Sequence, residues 1–455
     1  MQFHAFREGS VLITCTLVLV VAMLLAVGMA TMSGANVQIA DNQRETNRAF
    51  ASAESGLEIV RYWVNEIRMP TSTPVADYLS AAISHLETVL ADNGIQNIHI
   101  NSDGFIPTVV LDALAGRSFS GKVSAHPNDP AMLRLLIVGR SHDAARTLRV
   151  DFRIEPYRFP IFNYGMATKG PLVLPGNPRF RAATDGWEAD LYVESDRSLI
   201  AIDIGGNATF AGDIDIGNPL ATVSSPGALI LGGEVRSLPA EDRPVFPVPD
   251  VQRFRQYATG PVIGPGTDLS GSSTTWTNAV ITAGTNPTFP GNASIEGILY
   301  IEAPNNVTFA RHTNLRGTIV AAGDVNTPGA NQINFGDPTV PEVPSNFCSG
   351  PYPAGQQFDA LRDEGGACIL APGFAVSFWK NFSAVNGVIA ASGLRFDKNA
   401  QARVQGSLIN YSEQPTVVNG NINMTFDRSA LVEIPAGFDL LRVLTYVPKS
   451  YTVVY

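Results

Sequence analysis

Gly9-Ser10-Val11-Leu12-Ile13-Thr14-Cys15-Thr16-Leu17-Val18-Leu19-Val20-Val21-Ala22-Met23-Leu24-Leu25-Ala26-Val27-Gly28-Met29-Ala30-Thr31-Met32 contains no charged residue, and the uncharged run continues to Ala40. Arg7-Glu8 precedes it and Asp41, Gln43, Arg44 and Glu45 follow it. As a helix rising roughly 1.5 Å per residue, Val11 to Met32 is long enough to cross a bilayer. A cleaved secretory signal begins in a similar way, but its apolar core is shorter and is followed by a small-x-small cleavage site. Here the helical pattern runs on past the apolar stretch, with no proline before Pro70. Arg7 on the short flank favours a cytoplasmic N-terminus, with the bulk of the chain across the membrane.

Beyond the apolar run, Phe50, Ala53, Leu57, Val60 and Val64 repeat at spacings of 3, 4, 3 and 4. That period draws one apolar stripe along an otherwise polar helix, and the stripe needs a surface to pack on. Residues 10–69 therefore read as one rod of about 90 Å. A shorter helix is expected at 76–91, with Leu79, Ile83, Leu86 and Leu90 on one side and Asn93-Gly94 ending it. Alternating stretches at 118–125, 133–138 and 147–154, separated by polar turns, predict a meander of antiparallel strands. Residues 70–158 thus form a small α+β domain.

From about Phe159 helical periodicity nearly vanishes. The chain holds 41 glycines and 31 prolines and only 16% charged residues, a turn-rich composition foreign to helical bundles. A motif recurs at Ile295-Glu296-Gly297-Ile298-Leu299, Leu315-Arg316-Gly317-Thr318-Ile319, Val385-Asn386-Gly387-Val388-Ile389 and Val404-Gln405-Gly406-Ser407-Leu408. Its glycines lie 20 apart in the first pair and 19 apart in the second, about one coil of a parallel β-helix. Ile202-Asp203-Ile204-Gly205 and Ile214-Asp215-Ile216-Gly217 suggest the same stacking earlier in the chain. An antiparallel β-sandwich with glycine turns is the alternative. The fold class is accordingly α+β: a long N-terminal helix, a small α+β domain, then a mainly β domain over 159–455. Insertions at 237–250 and 327–372 are expected to leave the coils as loops, and the tail from Leu440 is expected to close the solenoid end or pair with it.

The N-terminal sequence resembles the PilX-type pilus-assembly proteins, a branch of the type IV pilin-like superfamily that includes type II secretion pseudopilins. Arg7-Glu8-Gly9-Ser10-Val11-Leu12-Ile13 is similar to the leader that prepilin peptidase cleaves before a hydrophobic helix. Asn42-Gln43-Arg44 with Arg48-Ala49-Phe50-Ala51-Ser52-Ala53-Glu54-Ser55-Gly56-Leu57 resembles the run that follows the span in that family. The likeness covers roughly the first 65 residues. It implies a leader at 1–9, processing between Gly9 and Ser10, and a single-pass subunit of the bacterial cytoplasmic membrane that later packs into a filament. Prepilin peptidase, membrane lipid, other pilin-like subunits and the pilus-assembly machinery are the implied partners. Major pilins carry glutamate at the fifth position of the mature helix; here that position is Thr14. The difference implies a minor, low-copy or tip subunit. The glycine-periodic half resembles bactofilin-like and other polymer-forming β-helices in pattern only.

Other chemistry is sparse. A formal net charge of -10 without a basic cluster argues against nucleic-acid binding. No phosphate-binding loop, HExxH, paired CxxC or GxSxG occurs, and the histidines lack metal-ligand spacing. No enzyme activity, metal or other cofactor is therefore expected. Cys15 lies in the apolar run, while Cys348 and Cys368, 20 positions apart in the exported part, are read as a disulfide. The competing functional class is a membrane-anchored β-helix that binds or acts on surface polysaccharide. Asp203, Asp213 and Asp215 are its best carboxylates, with Phe374, Phe378, Trp379 and Phe382 as aromatic candidates.

Overall fold

The computed structural model describes residues 8–454 apart from 271–272, 311, 327–328, 337–344, 348–351, 380–381, 398–400 and 430–433. It comprises two units, Met1–Pro156 with Leu441–Tyr455, and Tyr157–Leu440.

In the first unit one helix, α1, runs unbroken over Glu8–Asn65, and α2 covers Tyr78–Asp92. The strands are β1 (Met69–Pro70), β2 (Phe105–Asp112), β3 (Arg117–Ala125), β4 (Met132–Ser141) and β5 (Ala144–Pro156). Antiparallel pairings join β2 to β3, β3 to β4 and β4 to β5. The expected meander is present, with β2 added at its edge. Leu133, Leu135 and Ile137 alternate along β4 into a core shared with Ala53, Leu57, Val60 and Val64 of α1. In α2 the buried face is Tyr78, Ala82, Ile83, Leu86 and Leu90, so Leu79 sits at the edge of the stripe rather than in it.

The tail corrects an expectation. Leu441–Tyr446 pairs antiparallel with β5 and β1, and Thr452–Val454 pairs with β5, so residues 441–454 complete the first sheet instead of the coiled domain. The alternating apolar pattern was legible, but a strand's partner is set by tertiary contacts its own sequence does not contain.

In the second unit the ladders among the described residues are parallel, as stacked coils require. The motif glycines stack: Gly297 is the register partner of Gly317, with Ile295 on Leu315 and Leu299 on Ile319. Val385 pairs with Val404 and Ile389 with Leu408 in the second set. Inside, Phe289, Phe309, Phe335, Phe378 and Phe396 form one stacked column with centroid separations of 4.7, 5.2, 5.3 and 5.2 Å. Phe374 is also buried, so this part of the aromatic cluster is core; the side chain of Phe382 lies outside the described residues. Ile202–Ile204 and Ile214–Ile216 do not stack on each other. The first pairs with Leu172–Leu174 and the second with Leu191–Val193, so they occupy successive faces of one coil.

Coil order departs from chain order. Met166–Thr168 stacks on Leu408–Asn410, and from there the chain climbs through Leu191–Val193 and Ile214–Ile216 to Val235–Ser237 at one end. It resumes at Val262–Ile263 at the opposite end and climbs back to 408–410. Residues 238–261 cover that distance as a strap. The column is ten ladder steps high, or roughly 50 Å, within reach of an extended proline-rich chain rising about 3.1 Å per residue.

The strap explains the first insertion, which does not emerge as a loop. Pro244, Phe246, Pro247 and Pro249 are buried while Val245 and Val248 face solvent. Tyr411 donates to the Pro247 carbonyl at 2.6 Å, Tyr300 donates to Gln252 Oε1 at 3.0 Å, and Arg253 bridges Glu364 and Asp439. Part of the second insertion folds down in the same way: Phe358 and Leu361 are buried, and Tyr352 meets Thr318 Oγ1 at 2.9 Å. Beneath them Val280, Tyr300, Val320, Leu370 and Ile409 are buried although they alternate with the inward residues. A coil face apolar on its outer side needs such a cover.

Candidate functional site

Residues 11–44 of α1 are exposed almost throughout; Leu12, Leu24 and Met32 are 69, 68 and 71% accessible. Covering such a side chain is worth about 1.5–3 kcal/mol, so this rod is driven into lipid or against other helices. Gly9 and Ser10 fall in the first helical turns. Thr14 and the free thiol of Cys15 lie on the exposed stretch. This helix has the length and composition of a single-pass membrane anchor.

The rod changes character at a polar collar. Arg44 lies 3.2 Å from Asp41, Arg48 is 2.7 Å from Glu45, and Ser141 of β4 donates to Glu45 Oε2 at 2.6 Å. Arg117 of β3 reaches Ser52 Oγ at 3.3 Å. Past the collar the stripe turns inward: Ala53, Leu57, Val60 and Val64 are buried and Phe50 is half-buried at the rim.

Two glycines set how closely helix and sheet approach: Gly139, unremarked in the sequence, and Gly56, noted there only within the run that follows the span. A Cβ on Gly139 of β4 would stand 2.1 Å from the Ala53 nitrogen and 2.3 Å from the Ala49 carbonyl oxygen. A Cβ on Gly56 would stand 2.5 Å from the Phe119 ring. The signal was present in Ala49, Ala53 and Gly56, small residues spaced 4 and 3 along one helix face. The stripe through Phe50, Ala53, Leu57, Val60 and Val64 passes over Ala49 and Gly56 and so overlooks it.

The carboxylates of the polysaccharide reading are divided. Asp203 is exposed on Ile200–Ile204. Asp213 and Asp215 share Arg236, whose Nη2 lies 2.9 Å from Asp213 and whose Nε lies 2.8 Å from Asp215; Tyr164 donates to Asp215 at 2.8 Å. Asp190 accepts the Asp213 N–H at 2.7 Å, and Asp213 accepts the Glu234 N–H at 2.8 Å, so each aspartate holds the corner of the next coil. Burial pushes the Asp190 carboxyl up to about 6. Cys368 is buried and disulfide-bonded, while Cys348 lies outside the described residues. Among the described residues no cluster has metal-ligand geometry.

A family model for the PilX N-terminal region matches residues 8–58. No curated protein matches the chain significantly. Among solved structures, the competence-associated pilin ComZ from Thermus thermophilus aligns at 12% identity over 90% of this chain and 97% of that one, with a TM-score of 0.26. An ice-binding protein domain from Shewanella frigidimarina aligns at 12% identity over 59% of this chain and 96% of its own, with a TM-score of 0.19. At these scores neither overlay bears on fold or function. The uncharged rod, the collar motif and the family match together identify residues 8–58 as a PilX-type pilin N-terminal region.

Proposed function

We propose that this chain is a minor pilin-like subunit of a type IV pilus or a related pseudopilus, held in the cytoplasmic membrane by α1 until it is packed into a filament. The observation that carries the reading is one continuous helix, apolar and exposed over 11–32, docked on its own sheet beyond residue 49, and matching the PilX-type region across both parts. Such a rod exchanges lipid for neighbouring rods without refolding. The role is structural rather than catalytic, and the displayed mass is the coiled unit Tyr157–Leu440. Prepilin peptidase, other pilin-like subunits and the assembly machinery are its partners.

Thr14 supports a low-copy or tip position. An N-terminal ammonium buried among apolar helices is costly without an opposite charge, and a threonine hydroxyl cannot neutralise it. A subunit with no neighbour ahead of it faces no such demand. N-terminal sequencing of the mature chain tests the core of the proposal: it is expected to begin at Ser10, and a Gly9→Leu variant is expected to keep its leader and stay out of filaments. A mature chain that still begins at Met1 while functioning normally sinks it. Thr14→Glu is expected to raise the number of copies per filament.

A further inference from the structure

The sheet of the first unit has one end that faces the apolar rod. Gly139 of β4 lies against Ala49 and Ala53 of α1, whereas Ser141, two residues on, reaches Glu45, so β4 runs back along α1 toward the exposed stretch. Ser141 is the register partner of Arg117 and of Ala144, which puts the β2–β3 turn at 113–116 and the β4–β5 turn at 142–143 on that end. A Cβ on Gly116 would stand 2.3 Å from His142 Nδ1, so the two turns pack together. Asp112 Oδ1 accepts the N–H groups of Leu114 and Ala115, each at 3.0 Å, and the turn so fixed holds Leu114 100% exposed.

One exposed leucine is ordinary by itself. What lies beside it is not. Where Arg117 leaves the turn, an open groove of about 550 Å³ runs between β3 and α1, with Arg44, Arg48 and Arg117 in its wall and no carboxylate among its lining residues. Asp41 and Glu45, outside that lining, offset two of the three charges. Arg48 gives one terminal nitrogen to Glu45, and Arg117 gives its Nε to Ser52 Oγ with no carboxylate partner among the described residues. Guanidinium donors therefore remain for a further anion.

We propose that this end of the sheet is a foot on the bilayer surface, where Leu114 enters the headgroup layer and the groove takes the phosphate of an anionic lipid. The inference rests on the reading of α1 as a membrane anchor. A bilayer with its headgroups is about 40–45 Å thick, or roughly 30 residues of upright helix. A span that begins at Ser10 thus leaves the far headgroups near Ala40, the first residue of the groove. Arg44 lies one turn further on, and because helical side chains lean toward the N-terminus its guanidinium points back at that layer. Helix tilt brings the groove lower still. Paired hydrogen bonds from guanidinium to phosphate then supply the contact.

The test uses the full chain, in a Cys15→Ala background, reconstituted into vesicles of phosphatidylcholine with or without phosphatidylglycerol. A polarity-sensitive fluorophore on Leu114→Cys is expected to shift to the blue when phosphatidylglycerol is present, and the same label on Phe105→Cys, at the far end of β2, is expected to stay unshifted. After extraction in mild detergent, native mass spectrometry is expected to find phosphatidylglycerol retained over phosphatidylcholine. That preference should fall roughly tenfold in the double variant Arg44→Gln with Arg117→Gln, at an unchanged melting temperature. Should the double variant melt early, Arg44→Gln alone, on an exposed helix face, carries the comparison. Inorganic phosphate added to the extracted protein should leave the lipid in place; displacement by it marks a site for any small anion and overturns the proposal. A chain that inserts into both vesicles but keeps neither lipid, or both equally, or whose Leu114 label does not shift, overturns the proposal and leaves the anchor standing. A chain that inserts into neither overturns both.

Discussion

Pro156 and Arg442 are register partners in one antiparallel ladder, although the whole coiled unit lies between them in the chain. That unit begins and ends at neighbouring points of its own: the Phe162 and Phe438 rings stand 4.9 Å apart, and Arg428 donates to the carbonyls of Phe162 and Asn163. An element whose ends meet is a natural insertion. Replacing residues 157–440 by a short glycine-serine linker should leave the first unit folded, and residues 157–440 expressed alone should fold as well. Each piece is expected to melt in a single cooperative transition by circular dichroism; loss of amide protection in β4 and β5 of the shortened chain counts against the insertion view.

Gly317 has no room to be anything else. A Cβ there would stand 1.8 Å from the Gly297 carbonyl oxygen, a backbone atom that cannot swing aside. Gly317→Ala should cost roughly 3 kcal/mol, the upper range for overpacking. Gly264, where the nearest atom is a threonine hydroxyl at 3.6 Å, is the control and should lose well under 1 kcal/mol on the same change. Urea unfolding midpoints decide between them.

Those glycines also show how far the sequence could be read. Period and chemistry announced the coils, because a residue repeated every 19 or 20 positions at a fixed place in a motif must stack. The long helix was legible for the same reason, since its stripe and its uncharged run are local patterns. What stayed hidden was partner choice between distant segments. Nothing in Met166–Thr168 tells of Leu408–Asn410, and nothing in the tail tells of β5. Prolines at 239–249 spoke against strand pairing but gave no sign that Tyr411 and Tyr300 would hold the run down as a strap. At the candidate site the apolar rod and its stripe were readable, while the close approach at Gly139 depends on a strand 86 positions beyond Ala53.

Asp190 gives a pH dependence of known sign. Burial raises its carboxyl from 3.8 to about 6, against the Asp213 N–H that lowers it. Between those values the unfolded chain has released the proton and the folded chain still binds it, so stability falls as pH rises from about 4 to 6 and is then flat. Asp190→Asn keeps an oxygen for the Asp213 N–H and removes the charge. The variant should be more stable at pH 7 by on the order of 1 kcal/mol, after allowing for solvent screening, and should lack the decline between pH 4 and 6 that the parent shows. Comparing parent with variant across that window isolates Asp190 from Asp427, whose depressed value contributes in the opposite direction. Identical profiles for the two proteins refute the assignment.

Gly139→Val separates strand propensity from helix docking. Valine favours an extended, half-buried position, so β4 considered alone should gain from the change. The structure places the α1 backbone where the side chain would go, 2.1 Å from the Ala53 nitrogen, and neither a helix nor a central strand can yield that distance locally. Relief requires lifting α1 away from β4, which uncovers Ala53, Leu57 and Val60 together and releases Glu45 from Ser141. Loss of at least 3 kcal/mol is expected, at the top of the overpacking range because several buried contacts go at once, roughly a hundredfold shift in the folding equilibrium. Hydrogen exchange should show residues 50–64 of α1 deprotected while the coiled unit keeps its protection. The apolar rod ahead of the collar is exposed along its length, so membrane insertion should persist in the same variant. A stabilised sheet with α1 still protected would mean that the helix does not rest where Gly139 admits it.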